Sequence, residues 1–144
     1  EIEPEIMPLC REFGVGIMAY SPLAIGLLTG RFRRGQEPPA HTPWSRGENT
    51  GLSPHKYKLE DAMDEFNDRI VQTLVDIGER HDRSPAQVAI GWILDHPEIS
   101  APILGADEPE HVDEIFAGLE WALPAEERVL LDEVSERPKP RKFA

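Results

Sequence analysis

The residues best suited to chemistry follow a short apolar stretch near the start of the sequence. The run from Val15 to Ala19 is brief and continuous and follows Gly14, which is typical of a buried parallel strand. The next twelve residues, from Tyr20 to Arg31, contain an aromatic ring, a hydroxyl group and two spaced glycines. They follow the carboxyl end of the strand, where α/β folds bind their ligands. The pattern predicts a ligand-binding loop there.

Composition narrows the range of partners. The chain has 144 residues, and 15 Lys and Arg against 27 Asp and Glu give a formal net charge of −12. This charge disfavours nonspecific binding to nucleic acid or to an anionic membrane. The single cysteine, Cys10, excludes an intrachain disulfide and a multi-cysteine metal site. The sequence shows no signal-like start and no apolar run of about 18 residues, so we expect a cytoplasmic protein without a membrane partner.

Hydrophobic periodicity predicts the elements that position the loop. In chain order these are a helix over 3–13, a strand over 15–20, a polar loop over 21–54, an amphipathic helix over 59–81, a helix over 85–97, a strand over 99–104, a helix after 107 and a last helix over 124–135. Ser84 and Gln87 form a capping box at the start of the third predicted helix, the one over 85–97. Two parallel strands make a poor sheet and cannot close a barrel, so the chain is expected to be a piece of a larger α/β fold.

Several residues are predicted to have only structural roles. Cys10 is expected to be a buried apolar side chain, and the five histidines lack metal-ligand spacing. The acidic residues of the last helix are expected on a solvated face, and residues 138–144 are expected to form a flexible tail. The predicted inner face of the helix after Asp107 consists of Val112, Ile115, Phe116 and Leu119.

Four motifs, in the same order and at similar spacing, resemble the aldo-keto reductase family. Residues 20–28 are similar to Y-S-P-L-x-x-G-x-L, which follows the seventh strand of that family's (β/α)8 barrel. Residues 84–92 resemble its S-x-A-Q-x-A-L-x-W helix, 102–106 its P-I-x-G-A segment at the eighth strand, and 123–127 the start of its terminal helix. The resemblance implies that residues 1–144 are the C-terminal portion, strands seven and eight with their helices, of a single TIM-barrel domain.

The resemblance also implies a reaction. It is the reversible, NAD(P)H-dependent reduction of an aldehyde or ketone to an alcohol, with NADP(H), or NAD(H), as cofactor. The family's catalytic Asp, Tyr, Lys and His belong to earlier strands, so no residue here is assigned a catalytic role and the chain alone is expected to be inactive. Its partners would then be a small carbonyl or alcohol substrate and the missing N-terminal half of the barrel. The alternatives are a noncatalytic pyridine-nucleotide-binding or accessory subunit, or a nonfunctional truncated product.

By resemblance, the loop after the first strand holds half of the cofactor. Tyr20 would stack under the nicotinamide, and two cations, Arg31 and Arg46, would contact phosphate groups. The pyrophosphate groove would be lined by Ser21, Pro22, Leu23, Gly26 and Leu28. The competing interpretation makes Tyr20 a core aromatic and the two arginines solvated loop charges.

The second half of the cofactor site would follow the second strand. Its residues would be Gly105, Ala106, Asp107, His111 and Glu114. Family members often have Ser, Arg or Lys at the position of Asp107, where it holds the 2′-phosphate of NADPH. A carboxylate there would repel that phosphate or accept a hydrogen bond from a ribose hydroxyl, which predicts weakened NADPH preference and tolerance of NADH. In the alternative, Asp107 is only the helix N-cap and a cation such as Arg31 binds the 2′-phosphate.

Overall fold

A computed structural model describes residues 2–46, 58–106 and 108–136. Its elements, in chain order, are α1 (Ile6–Phe13), β1 (Ile17–Tyr20), a 3-10 helix (Leu27–Thr29), α2 (Pro43–Arg46), α3 (Leu59–Ala62), α4 (Glu65–His81), α5 (Pro85–Leu94), β2 (Ile99–Ile103), α6 (Pro109–Gly118) and α7 (Ala125–Ser135). The predicted flexible tail, 138–144, lies outside the described residues.

The two strands pair in parallel, as the sequence predicts. Ile17 pairs with Ile99 at one end, and Tyr20 pairs with Ile103 at the other. The carboxyl ends of β1 and β2 therefore meet at one edge, and the segments that leave them start side by side.

The main core lies between the two long helices that connect the strands, α4 and α5, and the last helix, α7. Its buried residues come from α4, α5, α7 and the turn before α7, and they are Ile70, Leu74, Ile77, Val88, Ala89, Leu123 and Leu131. Three of them recur along one face of α4 at spacings of four and three residues, which confirms the predicted amphipathic face. The capping box at the start of α5 is also confirmed, since Ser84 and Gln87 exchange both side-chain-to-backbone hydrogen bonds.

The long helix predicted over 59–81 is two helices. Asp64 separates α3 from α4 because its carboxylate accepts a hydrogen bond from the amide of Asn67 at 2.7 Å and so caps α4. The side chain of Asn67 in turn donates to the carbonyl oxygen of Ala62, also at 2.7 Å. The apolar period continues through the break, which is why periodicity alone did not reveal it.

The predicted polar loop over 21–54 has structure within its described part. It contains the 3-10 helix and α2, and its apolar residues form a second core against α3 and α4. The buried members of this second core are Leu27, Phe32, Trp44, Leu59, Met63 and Val71. The loop is thus held by a small core of its own.

Two helical faces differ from expectation. Helix α1 begins at Ile6 and buries Met7, whereas Leu9 is exposed and Cys10, which was expected to be buried, is only half-buried. Helix α6 begins at Pro109 with Glu108 at its N-cap, and Asp107, the N-cap candidate of the sequence, lies outside the described residues.

The inner face predicted for α6 is also mostly wrong. Ile115 is buried, but Val112, Phe116 and Leu119 are exposed. They form an apolar stripe at helical spacing, and α6 packs mainly on α5 through its opposite side.

The acidic face predicted for α7 contains one buried ion-pair site. Glu127 is buried and accepts hydrogen bonds from Nε and Nη2 of Arg80 at 3.1 and 2.7 Å, and Nε2 of His81 lies 3.0 Å from its Oε1. The hydrogen bonds from Arg80 hold the pKa of Glu127 below its usual value, against the opposing effect of burial. The expectation that all these acidic residues are solvated was therefore wrong, because Glu127 links α7 to the end of α4.

The first prediction concerns this ion pair. Glu127→Gln should lower the free energy of unfolding at pH 7 by about 1–3 kcal/mol, because Arg80 loses its charged acceptor. The pKa of Glu127 is lower in the folded state than in the unfolded state, where it is near 4.3. Its contribution to stability is therefore complete above the unfolded-state pKa and disappears as the pH falls through the folded-state pKa. Urea unfolding between pH 7 and pH 3 should therefore show wild type and variant converging at low pH.

The matched control is Glu126→Gln, which removes the same charge from the exposed neighbouring residue. It should change the free energy of unfolding by less than about 0.5 kcal/mol at every pH. Equal effects of the two substitutions at pH 7 would contradict the role given to Glu127.

Candidate functional site

Tyr20 ends β1 with its ring accessible. It is 66% exposed and shares the uncovered face of the sheet with Met18, which is 65% exposed, and with its cross-strand partner Ile103. An exposed aromatic ring at a strand end, flanked by apolar side chains, is suited to stacking against a planar ligand. Within the described part of the chain Tyr20 is not packed in a core, and its stacking role stays a prediction.

The loop after Tyr20 turns through an unusual backbone. Ser21 has a φ of 54°, and Ala24, Ile25 and Gly26 follow with φ values of 49°, 59° and 81°. Three consecutive left-handed residues form a single left-handed turn, which costs about 1–2 kcal/mol for each residue that has a side chain. A β-branched residue such as Ile25 is rare in this conformation. Such backbone persists where the surrounding structure holds it and is concentrated at binding sites.

Hydrogen bonds between residues three apart in the sequence hold this left-handed turn. The carbonyl oxygen of Ala24 accepts from the amide of Leu27 at 3.2 Å, and that of Gly26 accepts from the hydroxyl of Thr29 at 2.7 Å. By contrast, the amides of Ile25 and Gly26 donate to no group in the described part of the chain. Two successive free amides in a turn form a concavity that suits an anion.

The apolar residues predicted to line the groove contribute backbone only. Pro22 is buried, Leu23 packs against the main core, and Leu28 packs against both cores. Their side chains pack into the protein and hold the loop in place. A ligand on the outer surface of the loop would therefore contact its main chain. Gly26 fits tightly, because a Cβ there would lie 3.3 Å from the ring of Phe32.

The arginines of the loop are used in different ways. Arg33 forms a two-pronged ion pair with Asp68 of α4, with 3.0 Å between Nε and Oδ1, and this contact lowers the pKa of Asp68. Arg34 donates its amide to Asp68 at 3.1 Å. Arg31 is exposed and is a cation without an ion-pair partner within the described residues. The predicted second cation, Arg46, ends α2, and its side chain lies outside the described part.

The second predicted half begins directly after β2. Gly105 and Ala106 are exposed, His111 lies half-buried in the first turn of α6, and Glu114 is half-buried one turn later. Asp107 lies outside the described residues. The register of the strands places the start of this segment beside Ser21, at the same edge as the loop after β1.

Sequence reasoning missed the side chains that support the two halves. Gln87, read only as part of a capping box, also donates from Nε2 to the carbonyl oxygen of Glu114 at 2.6 Å and so ties α6 to α5. Trp44, in a loop rich in proline and glycine, donates from its indole to the carbonyl oxygen of Ile25 at 2.9 Å. A lone large aromatic in a polar loop was the only available signal for Trp44.

Other features give no competing site. A cleft of about 510 Å³ has Arg33, Trp44, Leu59 and Met63 among its lining residues, and none of the predicted cofactor residues lines it. Within the described ranges, no group of three or more histidine, cysteine and acidic residues is placed to hold a metal ion. No helix in the same ranges is long and apolar enough to cross a membrane.

The fold and these two segments define an α/β protein with a candidate ligand-binding edge at the carboxyl ends of parallel strands. A sequence profile described as "Aldo/keto reductase family" matches residues 1–136. The chain belongs to the aldo/keto reductase family, an oxidoreductase family that uses nicotinamide cofactors.

Individual relatives agree with this assignment. The chain is 32% identical over 83% of its length to "Probable aldo-keto reductase 1" of Glycine max, and 30% identical over 94% of its length to "NADH-specific methylglyoxal reductase" of Escherichia coli strain K12. It spans 32% and 38% of these relatives, respectively. A solved glycerol dehydrogenase from Gluconobacter oxydans matches 99% of the chain with a TM-score of 0.71 and 24% identity, and the match covers 42% of that structure. The last likeness establishes the fold.

The second prediction concerns the left-handed turn. Gly26→Ala should lower the free energy of unfolding by about 1–2 kcal/mol, because it adds backbone strain and a close contact with Phe32. It should also accelerate amide hydrogen exchange at Leu27 and Leu28, whose amides are bonded within this loop.

Gly35→Ala is the matched control. Gly35 has a φ of 76°, but a Cβ there meets nothing within 4 Å, so its substitution introduces the backbone strain alone. Its effect should be smaller than that of Gly26→Ala and should leave exchange at Leu27 and Leu28 unchanged. If Gly26→Ala were as mild as the control, the tight fit against Phe32 would be disproved.

Proposed function

We propose that this chain is the cofactor-binding part of an oxidoreductase that reversibly reduces an aldehyde or ketone to an alcohol with NADH or NADPH. The observation that carries the proposal is the strand edge itself. There the exposed ring of Tyr20 lies next to a left-handed turn with two amides and an arginine that have no partner in the described part of the chain. The similarity to a relative named for NADH-specific reduction of methylglyoxal agrees with this choice of reaction class.

The described residues fit a nicotinamide dinucleotide. The cofactor would supply the hydride. Tyr20 would stack against the nicotinamide ring, the amides of Ile25 and Gly26 would bind the pyrophosphate, and Arg31 would offset phosphate charge. We assign the proton donor to none of the residues of this chain, because its tyrosines do not match the family's catalytic pattern. Gly105, Ala106, His111 and Glu114 would face the adenosine end.

Asp107 is proposed to select the form of the cofactor. A carboxylate repels a neighbouring phosphate by on the order of 1 kcal/mol at a partly exposed site and can instead accept from a ribose hydroxyl. We therefore propose that NADH binds as well as NADPH, within a factor of about ten.

We also propose that the chain is completed by the rest of a (β/α)8 barrel, of which it forms strands seven and eight. The sheet leaves Met18, Tyr20 and Ile103 uncovered on one face, and α6 leaves an apolar stripe uncovered. Uncovered apolar faces of this kind are typical of surfaces that are buried in a larger assembly. The upstream strands of the same barrel would cover the sheet and supply the catalytic groups, and the substrate would be a small carbonyl compound or alcohol.

The third prediction tests cofactor binding. Titration with NADH and with NADPH, followed by tryptophan fluorescence, should give saturable binding of both. Tyr20→Leu should weaken both by about three- to tenfold, because the stacking ring is lost. Tyr20→Phe, which keeps the ring, should bind as the wild type does.

Three results of this titration would count against the proposals. Absence of saturable binding would contradict a cofactor site formed by this chain. Equal binding by Tyr20→Leu and wild type would contradict the stacking role. An NADPH preference well above tenfold would contradict the role of Asp107 and favour a cation that binds the 2′-phosphate.

The fourth prediction tests the barrel. In a polypeptide that carries the complete barrel, Met18→Asp should lower the free energy of unfolding by about 3–5 kcal/mol, because an unpaired charge would be buried. Val129→Asp is the control, since Val129 is 54% exposed on α7 and should stay so. Its effect should be within about 0.5 kcal/mol of zero. The free energies are measured by urea unfolding. If both substitutions change them by similarly small amounts, the face of the sheet that contains Met18 is open to solvent in the complete barrel.

A further inference from the structure

Trp44 packs under the left-handed turn, and part of it lines the cleft of about 510 Å³ described above. Its side chain is only 6% exposed, and its ring packs edge-on against Phe32 with 6.2 Å between the ring centres. The same Phe32 ring limits the space at Gly26. Trp44 and Phe32 thus form the support on which the turn rests.

The indole of Trp44 fixes one peptide plane of the turn. Its Nε1 donates to the carbonyl oxygen of Ile25 at 2.9 Å. In a planar trans peptide the carbonyl oxygen and the following N–H point in opposite directions. The bond from Trp44 therefore turns the amide of Gly26 away from the support.

The neighbouring peptide plane is fixed in the same sense. The carbonyl oxygen of Ala24 accepts from the amide of Leu27 at 3.2 Å, which leaves the amide of Ile25 opposite to that bond. Neither Ile25 nor Gly26 donates its amide to any group in the described part of the chain. Two hydrogen bonds to carbonyl oxygens thus set the directions of these two amides. The amide of Leu27 makes one of them and the indole of Trp44 makes the other.

We propose that Trp44 is a positioning residue that presents the amides of Ile25 and Gly26 to an anionic diphosphate group. The inference rests on the proposed function for the identity of the ligand as a dinucleotide. Trp44 does not itself contact the ligand. It acts by holding Ile25, a β-branched residue, in a left-handed conformation that this residue rarely adopts.

The test uses Trp44→Phe, which keeps an aromatic ring against Phe32 and removes the indole N–H. The matched control is Trp92→Phe, because Trp92 also donates its indole N–H, to Asp132 at 2.7 Å, on the far side of the main core. Binding of NADPH and of inorganic pyrophosphate is followed through the amide signals of Ile25 and Gly26 in the ¹⁵N-labelled chain.

We expect Trp44→Phe to weaken NADPH binding about tenfold and to shift the Ile25 and Gly26 amide signals before any ligand is added. We expect Trp92→Phe to do neither. In the wild type, both probes should shift the same two amides, and the Nε1 proton of Trp44 should exchange slowly with solvent. This last measurement needs no variant and holds even if Trp44→Phe does not fold.

The outcomes separate this inference from the proposed function. NADPH binding that leaves both amides unshifted, equal losses in the two variants, or a rapidly exchanging Trp44 indole would overturn the role of Trp44 and leave the stacking role of Tyr20 intact. Pyrophosphate that shifts both amides, with NADPH bound no more tightly than pyrophosphate, would support the role of Trp44 and overturn the nicotinamide assignment. Failure of both probes to shift these amides would overturn the inference.

Discussion

The packing of α4 against α5 and α7 determines the rest of the structure. Two parallel strands cannot be joined by a tight turn, so the chain must cross back over the sheet between them. Here the crossover supplies most of the buried residues of the main core, including the fully buried Leu74, Ile77 and Val88, and α7 adds Leu131. Because α5 leads directly into β2, this core sets where β2 starts relative to β1, and so brings both carboxyl ends to one edge. The candidate site exists because of that edge.

Within this frame, polar tethers hold the site segments to the helices. Arg33 joins the loop to α4 through Asp68, Gln87 joins α6 to α5 through the carbonyl oxygen of Glu114, and Trp44 holds the carbonyl oxygen of Ile25. Each tether gives a loop or helix a fixed orientation that apolar packing alone would not specify. The strained turn depends on such contacts most, since isolated left-handed residues would relax to ordinary backbone.

Sequence patterns predicted the local elements and the family. They failed where contacts between distant residues determine burial or the ends of a helix. The parallel strands, the amphipathic face of α4 and the capping box at Ser84 follow from rules that act within a few residues. The break at Asp64 was missed because the apolar period continues through it. Glu127 looked like any surface carboxylate, since only the fold places it against Arg80. The stripe on α6 that includes Phe116 has the expected period but lies on an uncovered surface.

The same limit applied to the site. Tyr20 and the glycine-spaced loop were recognisable because a strand end followed by such residues is a local signal. The support beneath them was not recognisable, because a tryptophan nineteen residues after Ile25 becomes its partner only when the loop folds back. The hydrogen bonds within the turn and the left-handed backbone of Ala24 and Ile25 likewise cannot be recognised from the residue types. The sequence thus predicted a candidate binding loop, and the structure shows which contacts hold that loop.

Electrostatics explains why the backbone carries so much of the proposed binding. The chain has a net charge of −12, which opposes the approach of a dinucleotide that is itself an anion. Of the three arginines near the turn, Arg33 is neutralised by Asp68, and Arg34 lies 3.9 Å from Glu65, which leaves Arg31 as the cation without a described partner. Backbone amides attract an anion at short range, and acidic side chains do not neutralise them as Asp68 neutralises Arg33. A site built from a fixed turn and one arginine can therefore bind a diphosphate on a strongly acidic protein, provided that the turn is already in its binding conformation.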